Sequence, residues 1–184
     1  MERALVERAR SGDRAAFDAI VRSRIDAVYR TSLAILGDAD DAADATQETF
    51  VSAWGGLSSL RDPERFDAWL SRINVNACRM TLRRRGRTSL REIPLAEPED
   101  GRDPKTTDRA ADRALEDLAA EADLFDRAFA RLSVDDRAVL VMHHLEERPV
   151  AEIAAALGTP EGTVKSRLHR ARRALESALD RESR

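Results

Sequence analysis

Asp41, Asp44 and Glu48 recur at the spacing of one helix face, with Gln47 at its margin. Clustered carboxylates could hold a cation or move protons. No histidine or further acid at ligand spacing joins them, so two other readings stand beside that one: acids favoured by the dipole of a helix start, or a ridge that docks on a basic protein surface. Opposite chemistry follows. Arg72, Asn76, Arg79 and Arg83 fall on one face of a helix, offering cations for phosphates and one amide able to read a base edge. The preceding loop combines Gly55 and Gly56 with two serines, Leu60 and Arg61. It could hold an unstacked base against an apolar side chain. A solvated basic helix and a plain loop explain the same residues.

The sharpest pattern lies in residues 149–175. Pro149 opens a short apolar helix that Gly158 stops, and Thr159, Pro160 and Glu161 read as a cap, a first-turn proline and an acid at the positive helix end. In the helix that follows, Val164, Leu168, Ala171 and Leu175 form the buried stripe. The other side carries Gly162, Thr163, Ser166, His169, Arg170 and Arg173, flanked by Lys165 and Arg167. Helix, glycine turn and a basic, hydroxyl-bearing second helix match a helix-turn-helix with its recognition helix in a major groove.

Catalysis is not expected. Cys78 is the only cysteine, so no internal disulfide and no multi-cysteine metal site can form. His143, His144 and His169 lack zinc-ligand spacing, and there is no phosphate-binding glycine loop. The sequence therefore predicts no cofactor, no metal and no enzymatic activity. No apolar run suits a membrane helix and the N-terminus is no signal peptide, so a cytoplasmic protein is expected.

These groups need helices to carry them, and the periodicity is helical throughout. One stripe runs Phe17, Val21, Ile25, Val28, Ser32, Ile35 and Leu36 and ends at Gly37-Asp38. A second, about 41–54, places Ala43, Thr46, Phe50, Ala53 and Trp54 together, and a third runs Phe66, Trp69, Leu70, Ile73, Ala77 and Met80. The 184 residues carry a net charge of -3, yet the charge is strongly segregated. Residues 38–50 are acidic without a base and residues 71–91 basic without an acid. Residues 92–123 are strongly acidic again, and residues 163–175 are purely basic. Screening beyond about 8 Å lets local patches act independently of the whole. The expected fold class is all-α: an N-terminal helical bundle (1–90), an acidic flexible linker (91–122) with Pro94, Pro98, Gly101 and Pro104, and a helix-turn-helix domain (123–184).

At this point the chain resembles a family. Residues 44–54, DATQETFVSAW, look like the DLVQETFLRAW segment of bacterial RNA polymerase sigma factors. Residues 66–78, FDAWLSRINVNAC, look like their FRAWLYRIAVNAC segment, and residues 162–172 are similar to their GTVKSRLHRAR. The order and the small size resemble the extracytoplasmic function (ECF) group. The resemblance implies an initiation factor that gives core RNA polymerase its promoter specificity. Asp44, Gln47 and Glu48 then match positions that dock on the clamp helices of the largest polymerase subunit. Leu60, Arg61, Arg72, Asn76, Arg79 and Arg83 match the surface that opens and reads the -10 element, with Leu60 and Asn76 where a flipped base is captured. Thr163, Lys165, Ser166, Arg167, His169 and Arg170 match the readers of the -35 element. Promoter DNA, core polymerase and an anti-sigma factor are the partners implied. Ala45 and Thr46 replace larger apolar residues, and Asp67 stands where the family usually has a base. The rival reading is a stand-alone helix-turn-helix regulator, which predicts duplex binding without polymerase; a metal enzyme built on the 38–48 carboxylates is a distant third.

Overall fold

Helix ends are written plainly into this chain. In the structure, a computed structural model that describes residues 2–89 and 109–182, α1 (Glu2–Arg10) is followed by α2 (Arg14–Leu36), and Asp13 caps α2 by accepting from the Ala16 N–H at 3.0 Å. Gly37, at φ 73°, ends α2 and sends its N–H to the Leu33 carbonyl at 2.8 Å. Asp38 at once caps α3 (Ala39–Gly56), accepting from the Asp41 N–H at 2.9 Å. Two short 3-10 turns, Leu57–Ser59 and Pro63–Arg65, lead into α4 (Phe66–Ser89). The second half contains α5 (Arg109–Ala130), α6 (Val134–Leu140) continued by a π-turn at Val141–Leu145, α7 (Val150–Leu157) and α8 (Glu161–Glu182). Every regular element among the described residues is helical.

The linker expected over 91–122 divides in two. Residues 91–108 lie outside the described residues. Residues 109–122 are the first part of α5, because Ala, Leu, Glu and Arg are strong helix formers and outweigh the acidity that suggested an extended chain.

Two cores form. Phe17, Ile20, Phe50, Leu57, Leu60, Phe66 and Leu70 fill the first, inside the N-terminal bundle. The second joins Ile35, Leu36, Val75 and Cys78 of the bundle to Val139, Met142, Ile153, Val164 and Leu168 of the C-terminal helices. The sequence suggested two units free to separate; here they share apolar surface. Around the grooves where α4 meets α7, Ala68 and Ser71 come together with Ala151, Ala154 and Ala155, small residues that let the helices approach closely. Arg137, only 7% exposed, spans the seam. Its guanidinium donates to the Ile35 carbonyl at 2.9 Å, to the Leu132 carbonyl at 3.1 Å and to the Ala130 carbonyl, so carbonyl oxygens rather than a carboxylate satisfy a buried charge.

Several expected stripes shift. On α3 the buried arc is Ala42, Ala45, Thr46, Thr49, Phe50 and Ala53, while Ala43 and Trp54 face outward. The reason is that α3 packs on both α2 and α4, and small residues there permit that double contact. Ile25 and Met80 are likewise exposed. Asn74, 2% exposed, ties the bundle together: its side-chain oxygen accepts from the Ser32 hydroxyl at 2.7 Å and its amide donates to the Val28 carbonyl at 3.4 Å.

Candidate nucleic-acid and polymerase interface

Helix α8 is positioned by its own buried stripe. Val164, Leu168 and Ala171 are buried, which turns Thr163, Lys165, Ser166, His169 and Arg170 to solvent. Gly158 at φ 63° ends α7 and sets the turn between the two helices. Thr159 does not cap α8: its hydroxyl oxygen is buried without a hydrogen-bond partner, and the first-turn N–H groups of Thr163 and Val164 bond to the Pro160 carbonyl instead. The Ser166 hydroxyl donates to the Thr163 carbonyl at 3.0 Å, which holds it against the helix until another acceptor competes. Lys165 and His169 have no polar partner among the described residues, whereas Arg170 reaches Asp136 at 3.1 Å and Arg167 approaches Asp135 at 3.8 Å.

On α4, Phe66, Leu70, Val75 and Cys78 are buried, and this turns Arg72, Asn76 and Arg83 outward with Arg79 half-exposed. The guanidinium of Arg79 donates to the Asn76 side-chain oxygen and pairs with Asp135 at 2.6 Å. Arg61 stands exposed beside Arg72, lining one groove with Trp69 and Gly158. Leu60 requires a correction. It is 6% exposed and belongs to the bundle core with Leu57 and Phe66, because the 3-10 turn folds it inward, so its side chain is not presented to a base. Asp67 has a local partner, Arg24 at 3.0 Å, which accounts for an acid on this basic helix.

The α3 ridge is separated from its neighbours by pairing. Asp38 and Asp41 lie within ion-pair reach of Arg85, at 3.8 and 3.1 Å. Asp44, Gln47 and Glu48 are exposed, and neither acid has a basic partner among the described residues; Glu48 only accepts from the Ser52 hydroxyl at 3.2 Å. They rim a shallow groove with Val51 and Met80, which are 61% and 46% exposed. Unpaired acids beside exposed apolar side chains suit a protein surface with complementary charge. Among the described residues no three His, Cys, Asp or Glu side chains group as metal ligands. Burial pushes the Cys78 thiol up to about 11, so it remains a neutral core group. His144 is pushed down by burial, then by Arg172 and His143, and its Nε2 lies 3.2 Å from the Arg172 Nε as an acceptor.

Asp135, Asp136 and Arg137 were missed by the sequence reading. Ser133 caps α6, and acids in a capped first turn are a recognisable local signal, but their pairing with arginines far along the chain is not.

Comparison with known proteins identifies the family. Residues 20–88 match the family model "Sigma-70 region 2" and residues 122–175 match "Sigma-70, region 4". The chain is 37% identical over 164 residues to the RNA polymerase sigma-E factor of Streptomyces antibioticus, covering 89% of this chain and 84% of that one. It is 35% identical over 176 residues to the ECF sigma factor SigE of Mycolicibacterium smegmatis, covering 94% of this chain and 66% of the relative's length. The ECF sigma factor SigM of Mycobacterium tuberculosis is 37% identical over 169 residues, covering 92% and 80%. Among solved structures, CnrH in complex with the cytosolic domain of CnrY has a TM-score of 0.63 at 29% identity and covers 97% of each chain. RpoE of Bartonella quintana, solved with the anti-sigma factor NepR, has a TM-score of 0.59 over 89% of this chain and 96% of that one; at 23% identity it supports the fold alone. With both conserved regions matched in order and relatives of this coverage, the chain belongs to the ECF group of RNA polymerase sigma factors, which are transcription initiation factors.

Proposed function

We propose that the chain docks on core RNA polymerase through Asp44, Gln47 and Glu48 and reads promoter DNA with two separate helices. Arg61, Arg72, Asn76, Arg79 and Arg83 meet the -10 element. Thr163, Lys165, Ser166, Arg167, His169 and Arg170 meet the -35 element. The observation that carries this reading is the segregation of exposed charge: Asp44 and Glu48 on α3, without a basic partner among the described residues, and arginine- or lysine-bearing faces on α4 and α8. Phosphates attract the cations and set register, while Asn76, Ser166 and the guanidinium groups supply the base contacts. Leu60 contributes by anchoring the loop from beneath, which holds Arg61 at the rim. A captured base stacked in this region supplies on the order of 1–3 kcal/mol toward strand opening.

The domain division follows the charge blocks, with α1 to α4 for polymerase and the -10 element and α6 to α8 for the -35 element. A further partner is an inhibitory protein, since the related CnrH and RpoE are described in complexes with CnrY and NepR. The site of action is the cytoplasm, on polymerase. No helix among the described residues is long and apolar enough to cross a membrane. A stand-alone regulator is not favoured, because it gives the region 2 match over residues 20–88 no role.

Two variants test the assignment. Asp44→Arg places a cation on the docking ridge and is expected to reduce core polymerase binding about tenfold in a pull-down, with helicity retained. Unchanged binding would remove the docking role. Lys165→Ala combined with Arg170→Ala is expected to abolish -35-dependent run-off while leaving core binding intact; normal transcription would remove the recognition-helix role.

A further inference from the structure

The cations on the outward face of α8 are held in different ways. Lys165 and His169 have no polar partner among the described residues, and Arg167 approaches Asp135 only to 3.8 Å. Arg170 is anchored: its Nη2 donates to Asp136 Oδ1 at 3.1 Å, reaching the first turn of α6. Asp136 is itself fixed. The Ser133 hydroxyl donates to its Oδ2 at 2.7 Å and accepts from the Asp136 backbone N–H at 3.2 Å, so the cap that starts α6 also sets where the carboxylate points. The Asp136 side chain is 13% exposed, against 66% for that of Arg170. A largely buried acceptor thus grips one end of an otherwise exposed side chain.

We infer that Asp136 is a positioning residue for sequence reading: it holds the Arg170 fork in one orientation, so that this arginine discriminates a base instead of following the DNA backbone. The inference rests on the DNA role proposed above for Arg170. A guanidinium carries five N–H donors, and the bond to Asp136 uses one of them. Nη1 and Nε have no partner among the described residues, and Nη2 keeps a second hydrogen. Nη1 and Nη2 together still match a pair of acceptors such as guanine O6 and N7. An unanchored arginine spreads over many rotamers and settles on whichever phosphate is nearest. Ordering it in advance lowers the cost of the directional contact. The carboxylate also offsets part of the charge, which weakens the sequence-independent pull of phosphate and leaves the base contact as the main contribution of Arg170. Ser133, Asp136 and Arg170 belong to α6, its cap and α8, so the arrangement does not depend on packing against α4.

The test uses the full chain with core RNA polymerase and a duplex promoter library in which the upstream element is randomised. Sequencing of the bound fraction gives the base preference at each position. Arg170→Ala identifies the base pair this arginine reads, as the position whose preference collapses. Asp136→Ala should reduce the preference at that same position about tenfold and leave the other positions unchanged. The double variant Asp136→Ala, Arg170→Ala should lose no more than Arg170→Ala, because Asp136 acts only through Arg170. Asp136→Asn should stay within about threefold of the unmodified chain, since its amide oxygen can accept from Arg170 and its amide nitrogen can donate to Ser133 Oγ. Asp136→Glu covers the case in which Asp136→Ala does not fold. Ser-x-x-Glu remains a capping box, while the added methylene moves the carboxylate off the contact, so the preference should fall with stability kept. Preference retained in Asp136→Ala, or in Asp136→Glu where the alanine variant is unfolded, overturns the inference. An equal loss at every position, a double variant that adds the two losses, or Asp136→Asn as indifferent as Asp136→Ala overturns it as well. If Arg170→Ala leaves every position unchanged, the reading role proposed for Arg170 falls together with the inference; each of the other failures leaves that role standing.

Discussion

Asn74 shows what a single residue does in this bundle. It joins Ser32 of α2 and the Val28 carbonyl to α4 from a position that is 2% exposed. Asn74→Ala leaves a buried hydroxyl and a carbonyl without partners, a loss of about 2 kcal/mol. Thermal unfolding should then fall by roughly 4–8 °C for a chain of this size. Cys78 lies one helical turn further along. With its thiol raised to about 11 by burial, iodoacetamide at pH 8 should leave the native chain unmodified and label the urea-unfolded chain. The same shift has a stability consequence. Below the ordinary thiol value of 9.0 its contribution is fully present; between there and about 11 the unfolded chain loses a proton that the folded chain keeps, so this contribution to stability declines as pH rises. A chemical denaturation series with Cys78→Ala as the comparison isolates it. The outward residues of α8 were legible in the sequence because one apolar stripe fixes them. Leu60 and Trp54 were not: an apolar residue in a loop gives no sign of whether a 3-10 turn folds it inward, and Trp54 packs on Phe17 with ring centroids 4.9 Å apart while staying 42% exposed.

At the scale of elements, local chemistry carried most of the reading. Gly37 followed by Asp38 marked the α2–α3 break, and the structure uses Gly37 as the left-handed stop and Asp38 as the cap. Gly158 has the same legibility and an added constraint, since Arg72 fills the space a Cβ would need. Gly158→Ala is expected to destabilise the chain by about 1–2 kcal/mol through its positive φ, together with displacement of Arg72. Combining it with Arg72→Ala should recover the packing part and not the backbone part, which a double-mutant cycle in urea measures. The start of α5 was legible only as an alternative: residues 110–120 could be read as helical or as part of an acidic linker, and helix propensity prevails from Arg109 onward.

For the whole molecule, segregated charge was visible in the sequence and the seam was not. Joining Ile35 to Arg137 and Arg79 to Asp135 depends on contacts across more than fifty positions, for which short-range periodicity carries no information. Arg137→Lys tests how that seam is satisfied. One ammonium does not reproduce a planar fork that reaches three carbonyls, so lysine should be destabilising by on the order of 1–3 kcal/mol despite conserving charge. Equal stability of the two chains in guanidinium chloride would contradict that role. The division of surfaces, acid for the polymerase and arginine for DNA, is the claim on which the functional account depends. Run-off transcription on a promoter library, with purified core RNA polymerase plus or minus the chain, reads it out in a single assay. Addition of the chain is expected to create discrete start sites downstream of a common pair of promoter elements, and Asp44→Arg is expected to erase them. Start sites identical with and without the chain would contradict the account.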